Sequence, residues 1–420
     1  MCGIFIKKIG KSMEFERHII KAAEEVATTF RAMAVCGPRQ VGKTWLLKHL
    51  AEKLGGYKMV SLDDESLREQ ARNDPKLFLD LHQAPLFIDE IQSAPELFSA
   101  MKMRLDTSDA RGQYLMTGSQ QFKMMKGAKE SLAGRVGILR LAGLSKSEIE
   151  GKGPSAPFLP SLDAKRFGNA GDWDIRKTYE AIVKGSYPEC HAVPTINVRR
   201  YFSSYIATYI ERDIREMVDV ANIAQFQTFM RVCAARTGQL LNYADLARDA
   251  AISVPTARSW LSMLETSGVV YILHPYFNNL IKRAVKTPKL YFTDTGLCSH
   301  LLGIASAQAA IDSPLSGALL ETYVVVEIMK SHWNCASDAK FWFFRDAEKH
   351  EIDLVIEDGG KLYPVEIKRA STVKAKDINR NMDVFREVTP SINAMGAVLL
   401  VSSSLGALDA NTALIPIGAL

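Results

Sequence analysis

Four short apolar runs punctuate the first third of the chain: Ala32–Cys36, Tyr57–Leu62, Pro85–Ile88 and Tyr114–Met116. Each ends on glycine, acidic or small polar residues, the pattern of buried parallel strands that deliver polar groups to one sheet edge. Ahead of the first run, Phe15, Ile19, Ala22, Ala23 and Val26 recur at helical spacing, which predicts a helix within 13–31. Prolines, glycines and serines between about 151 and 170 mark a linker. Helical sequence follows, with Tyr201, Phe202, Tyr205 and Tyr209 spaced as a packed face and leading into the mixed charges Glu211-Arg212-Asp213-Ile214-Arg215.

From Asn242 to Tyr276 the pattern is a helix over Tyr243–Ala250, a short turn, a second helix over Val254–Thr266 and, past Gly268, an apolar strand. This is the outline of a winged helix-turn-helix. Alternation over 351–356 and 362–368 predicts a strand pair turning at Asp358-Gly359-Gly360. The expected fold is α/β at both ends. A P-loop parallel-sheet domain spans 13–155, a linker and helical region 156–240, a winged helix 241–290 and a C-terminal α/β domain 291–420.

Composition changes this picture little. At 420 residues, with 47% apolar and 24% charged positions, the chain suits two or three folded domains and not a disordered tail. A net charge of +5 tolerates an anionic partner without demanding one. The six cysteines are scattered with no Cys-x-x-Cys pair, so reduced, mostly buried thiols are expected and not a disulfide framework or zinc site. The apolar start is too short for a signal-peptide core and no apolar run spans a bilayer, which makes the cytoplasm the expected compartment, with no membrane partner.

The chemistry concentrates after the first strand, in Gly37-Pro38-Arg39-Gln40-Val41-Gly42-Lys43-Thr44. Gly-x-x-x-x-Gly-Lys-Thr between a strand and a helix is a phosphate-cradling P-loop, the Walker A arrangement. Its glycines let backbone N–H groups face the phosphates, Lys43 neutralises β/γ oxygens and the Thr44 hydroxyl ligates Mg²⁺. The nucleotide-binding stretch runs through Trp45. Asp89 and Glu90 close the Pro85–Ile88 run, where Asp89 would hold Mg²⁺ through water and Glu90 would polarise the attacking water. Asp63-Asp64 at an earlier strand end suits either metal ordering or a helix cap. Ser119 and Gln120, after the Tyr114 run, are candidate sensors of the γ-phosphate. Arg135 is a candidate for the guanidinium that phosphoryl transfer draws on, supplied in cis or by a neighbouring molecule.

With Phe87-Ile88-Asp89-Glu90-Ile91-Gln92, Thr117-Gly118-Ser119, Leu132-Ala133-Gly134-Arg135-Val136 and Tyr209-Ile210-Glu211-Arg212-Asp213-Ile214, residues 13 to about 155 resemble an AAA-type P-loop ATPase module. The whole chain resembles a prokaryotic family in which that module is fused to a C-terminal domain with a restriction-endonuclease-like core. Trp45 departs from the small residue more frequent there and is expected to affect packing or adenine access. In the C-terminal third, Glu321, then Asp353, then Glu366-Ile367-Lys368 resemble the acidic core of the restriction-endonuclease superfamily. Such a set would bind one or two Mg²⁺ ions, with Lys368 orienting the nucleophile.

These readings imply an Mg²⁺-dependent ATPase acting as a nucleotide-dependent switch on its C-terminal domains. An ATP-gated nuclease or nucleic-acid-binding protein, and a nucleotide-stabilised protein-interaction scaffold, are the alternatives. Nucleic-acid contact would use Arg258 on the second winged-helix helix and Lys282, Arg283, Lys286 and Lys289 on a wing. An arginine donated by a neighbour would favour an oligomer.

Overall fold

The computed structural model describes residues 14–118, 131–167, 171, 173–209, 223–277, 286–390 and 392–420. The first apolar runs form a five-stranded parallel sheet of β1 (Ala32–Cys36), β2 (Lys58–Ser61), β3 (Leu86–Asp89), β4 (Tyr114–Thr117) and β5 (Val136–Arg140), in the order β2-β3-β4-β1-β5. All of β1, β3 and β4 is buried, as expected of strands covered on both faces. Register sets the function of the edge: Val35 lies beside Thr117, Cys36 beside Arg140 and Ser61 beside Asp89. The carboxyl ends of the strands therefore meet on one side. The first helix begins at Ile20, and the helix Lys43–Leu54 leaves β1 through Gly42, whose φ of 96° suits glycine alone. Asp64 caps the helix Glu65–Asn73 by accepting the Leu67 N–H at 3.0 Å, which decides its role as a cap.

A second, three-stranded antiparallel sheet contains β6 (Gln239–Leu240), β7 (Val270–Leu273) and β8 (Lys289–Phe292), ordered β6-β8-β7. Against it pack the helices Tyr243–Asp249 and Val254–Thr266, together with Ile223–Ala235, whose Phe226 and Phe229 rings meet Trp260 at 5.2 and 5.6 Å. Residues of the Ile223–Ala235 helix and of β8 belong to the same buried cluster as these helices.

The C-terminal sheet is mixed: β9 (Lys340–Arg345), β10 (Glu351–Asp358), β11 (Lys361–Lys368), β12 (Gly396–Leu400), β13 (Gly406–Asp409) and β14 (Thr412–Pro416), ordered β13-β14-β12-β11-β10-β9. β9, β10 and β11 run antiparallel, while β11, β12 and β14 run parallel. The expected hairpin is present, turning through Gly359 and Gly360. The helix Ser316–Trp333, buried along most of its length, touches all three parts of the chain. Lys330 Nζ donates to the Leu144 carbonyl at 2.9 Å, Thr322 shares a hydroxyl bond with Thr237 at 2.9 Å, and Tyr179 Oη donates to the Ser316 carbonyl at 2.7 Å.

Among the described residues no helix is long and apolar enough to cross a membrane. Cys36, Cys190, Cys233 and Cys298 are buried free thiols and Cys335 is exposed.

One close approach tests this packing. A Cβ on Gly296 would lie 2.7 Å from the Gly185 backbone and 2.8 Å from the Lys184 carbonyl oxygen, main-chain atoms that no side-chain rotation moves aside. Gly296→Ala should lower stability by about 1–3 kcal/mol, read from the urea midpoint.

Candidate functional site

The phosphate loop connects β1 to the helix Lys43–Leu54, and its backbone takes positive φ at Gly37 (147°), Gln40 (60°) and Gly42 (96°). Gly37 is required for space as well: a Cβ there would stand 2.0 Å from the Leu141 carbonyl oxygen. Lys43, 7% exposed, donates to the carbonyls of Gly37 at 3.0 Å and Pro38 at 2.7 Å, so its ammonium lies across the loop it serves. The Thr44 hydroxyl donates to the Asp89 carboxylate at 3.0 Å. Thr117 at the end of β4 donates to the same carboxylate, and its hydroxyl also accepts the Glu90 N–H at 3.3 Å. Thr44 and Asp89 thus present hard oxygen donors side by side beneath the loop, the type that Mg²⁺ takes. Glu90 has a left-handed backbone (φ 56°, ψ 45°), uncommon for a non-glycine residue, and accepts from the Gln92 amide.

The loop is held from outside. Arg17, 4% exposed, donates to the Val41 carbonyl at 2.8 Å, to the Ala142 carbonyl at 2.9 Å and to Glu148 at 3.0 Å. Glu148 in turn accepts from the backbone N–H groups of Ser145 and His18. Burial by itself raises the Glu148 carboxyl, but the Arg17 charge and those two N–H donors outweigh it, and the net shift is downward. On the other flank, Tyr201 Oη donates to Gln40 at 2.7 Å, and Pro38 lies against Gly268, where a Cβ would come within 3.0 Å of its ring.

Of the residues expected at this site, Lys43, Thr44, Asp89 and Glu90 are brought together at one sheet edge. Trp45 stacks on His49 one turn along its helix, with ring centroids 5.3 Å apart. Ser119 and Gln120 lie outside the described residues, as do 210–222. Arg135 requires a correction: it precedes β5 and pairs with Asp106 at the amino edge of the sheet. The five residues of β5 separate it from the phosphate edge, about 16 Å at 3.3 Å per residue, so it does not serve its own loop. The arginine that ends β5 at the phosphate edge is Arg140, whose guanidinium stacks 4.4 Å from the Trp333 ring and 5.4 Å from Tyr271, tying β5 to the rest of the chain. Thr117, Arg17 and Glu148 were missed by sequence reasoning. Thr117 carried a signal, as the polar residue closing an apolar strand beside β3.

The C-terminal residues also converge. Glu321 accepts from Lys289 at 2.9 Å and Tyr291 at 2.5 Å, Glu366 from Lys368 at 2.6 Å and Asn381 at 3.0 Å, and Asp353 from the Ile367 N–H at 2.8 Å. Burial and the Asp353 charge push the Glu366 carboxyl upward. Glu321 also moves up, because burial and Asp353 together outweigh the neighbouring Lys289. Among the described residues no three His, Cys, Asp or Glu side chains are arranged, as they stand, to hold a metal ion. Lys289 is a second correction: it is not on an exposed wing but 2% exposed, bridging Glu321 and Glu351. Lys286 is exposed, Lys282 and Arg283 lie outside the described residues, and Arg258 stacks on Tyr243 at 4.1 Å.

Residues 29–150 match the model of a family described as an AAA domain. They are an AAA-type P-loop ATPase domain. Downstream of this ATPase domain, residues 175–308 match one domain of unknown function (DUF8612) and 316–420 another (DUF4143). Uncharacterized protein Rv2008c of Mycobacterium tuberculosis is 29% identical over 352 residues, covering 82% of this chain and 71% of its own. Uncharacterized protein Mb2031c of Mycobacterium bovis gives the same figures. Among solved structures, the Walker-type ATPase PABY2304 of Pyrococcus abyssi aligns at TM-score 0.43 and 13% identity, over 69% of this chain and 96% of that one. The RuvB Holliday junction branch migration motor of Thermotoga maritima aligns at 0.29 and 11%, over 62% and 92%.

The buried pair beside the ATPase domain's loop gives a pH test. Glu148→Gln leaves Arg17 buried without its countercharge and should cost about 3–5 kcal/mol at neutral pH. Since the folded carboxyl lies below its ordinary value of 4.5, the pair's contribution is complete above that value and is lost as pH falls through the folded one. The gap in unfolding free energy between parent and variant should therefore narrow on acidification, as followed by denaturant titration.

Proposed function

We propose that this protein binds ATP with Mg²⁺, hydrolyses it, and uses nucleotide occupancy to switch the arrangement of its C-terminal parts. The observation that most supports the switch is the contact of the phosphate loop with segments beyond the ATPase domain, through Gln40 with Tyr201 and Pro38 with Gly268. In this reading the loop from Gly37 to Gly42 cradles the triphosphate, and Lys43 exchanges its two carbonyl partners for β/γ-phosphate oxygens. Thr44 and Asp89 would hold Mg²⁺, which when bound neutralises charge on the phosphates. Thr117 fixes the Asp89 carboxylate, and Glu90 orients water after turning from the Gln92 amide, a step that favours slow turnover. Ser119 or Gln120 would sense the γ-phosphate. Arg135 enters only if a second copy presents it.

A second reading, Mg²⁺-dependent cleavage of nucleic acid by the C-terminal part under nucleotide control, draws on the proximity of Asp353 to Glu321, Glu366 and Lys368. Arg258 and Lys286 would then meet phosphates.

Calorimetric titration and phosphate release separate these roles. Lys43→Ala should weaken ATP binding by about tenfold or more, while Glu90→Gln should keep binding and cut turnover about 100-fold. Turnover untouched by Glu90→Gln would leave a nucleotide-stabilised scaffold in place of an ATPase. For the second reading, Asp353→Asn should abolish DNA or RNA cleavage and spare ATP turnover; a parent protein that never cuts dismisses it.

A further inference from the structure

Within the phosphate loop, Gln40 takes a left-handed backbone at φ 60°. Glycine holds such a conformation without cost, whereas a residue with a Cβ is disfavoured in it. The other positive φ values of the loop fall on Gly37 and Gly42, so Gln40 is where the loop carries a side chain through a strained turn. Left-handed residues in turns of this kind aim successive N–H groups into one concavity that receives an anion. A loop that relaxed at Gln40 would lose part of its cradle.

The partner of the Gln40 side chain lies 161 positions along the chain, where Tyr201 Oη donates to the Gln40 amide oxygen at 2.7 Å. Tyr201 belongs to the helix Val198–Tyr209, beyond the ATPase domain. Its ring sits among Tyr187, Phe202 and Tyr205, with centroids 6.0, 5.3 and 6.4 Å away. Tyr187 donates its hydroxyl to that of Tyr205 at 2.8 Å, and all three of these neighbours are buried. The phenol is therefore presented from a packed platform. Burial pushes it up from its ordinary value, so it remains a protonated donor at neutral pH.

The rest of the loop is held separately. Arg17 donates to the Val41 carbonyl at 2.8 Å, and Pro38 lies against Gly268. Neither contact engages the Gln40 side chain, for which Tyr201 is the hydrogen-bond partner among the described residues.

We propose that Tyr201 is a positioning residue for the nucleotide: by bonding the Gln40 side chain it holds residue 40 in its left-handed turn and keeps the phosphate loop shaped for a triphosphate. This rests on the reading above that the loop binds ATP, and it names the residue through which the middle of the chain sets the affinity of that site. Without the phenol, the free loop relaxes at residue 40 and incoming phosphates must restore the turn, which weakens binding. Gln40→Gly removes the strain together with the side chain, so Tyr201 then has nothing to hold.

Calorimetric titration of the full-length protein with ATP and Mg²⁺ tests it in the parent, Tyr201→Phe, Gln40→Gly, and Tyr201→Phe combined with either Gln40→Gly or Gln40→Ala. Tyr201→Phe keeps the ring and removes only the hydroxyl. It should weaken ATP binding about three- to tenfold in the parent, yet shift it by less than about twofold when Gln40→Gly is already present. Of the two double variants, the one with Gln40→Gly should bind ATP about threefold or more tighter than the one with Gln40→Ala, which keeps the cost of the turn. Equal or tighter binding by Tyr201→Phe would overturn the proposal. So would a loss of the same size in the Gln40→Gly background, which marks a role in packing alone, or equal affinity of the two double variants, which removes strain at residue 40 as the cause. Each of these outcomes leaves ATP binding by the loop standing. A parent that binds no ATP, or that binds it as tightly with Lys43→Ala, removes the nucleotide reading and this proposal with it.

Discussion

A buried charge is tolerable only with a partner, and the parts of this chain meet where such partners are found. Arg17 and Glu148 close the segment before β1 onto the one after β5. From there Lys146 donates its backbone N–H to Glu327 at 2.9 Å and its ammonium to the Gly418 carbonyl at 2.6 Å, while Lys330 bonds Glu327 at 2.8 Å and reaches back to Leu144. Lys289 makes the corresponding junction between the small sheet and the C-terminal acids. Each of these groups would be strongly destabilising alone, so the relative placement of the parts is fixed by polar geometry and not by apolar area alone. The helix Ser316–Trp333 supplies a partner at most of these junctions, which explains why it carries two glutamates and a lysine although most of its length is buried.

What the sequence reveals follows the range of the interactions. The phosphate loop is legible because all its constraints are local: two glycines, a lysine and a threonine at fixed spacing between a strand and a helix. Asp89 and Glu90 are legible as strand-end acids because a parallel strand delivers its last residues to the carboxyl edge of the sheet. The hairpin of β10 and β11 is written in alternation and in its two glycines. Arg17, Glu148 and Thr117 are different: their partners are remote in sequence or on a neighbouring strand, and no periodicity links them.

The two misplaced cations show two separate causes. Arg135 is a candidate because phosphoryl transfer draws on a guanidinium, yet it precedes its strand, and in a parallel sheet that assigns it to the amino edge; Arg140, which ends the strand, lies at the carboxyl edge. Lys289 is grouped in the sequence with basic neighbours as a phosphate contact on a wing. Its own context, Lys-Leu-Tyr-Phe leading into a fully buried strand, argued for enclosure, but the acids that make this bearable lie 32 and 62 positions later and are invisible until the chain is folded.

The posture of Lys43 has a consequence for how the loop meets its ligand. Its ammonium is satisfied by two main-chain oxygens of the loop itself, the carbonyls of Gly37 and Pro38. Under the proposed function, a bound phosphate would replace those carbonyls as acceptor, and the net affinity would be the small remainder between bonds lost and bonds made. Such a remainder would be sensitive to modest rearrangement of the loop, and on the proposed reading the segments against Pro38 and Gln40 would bear on it.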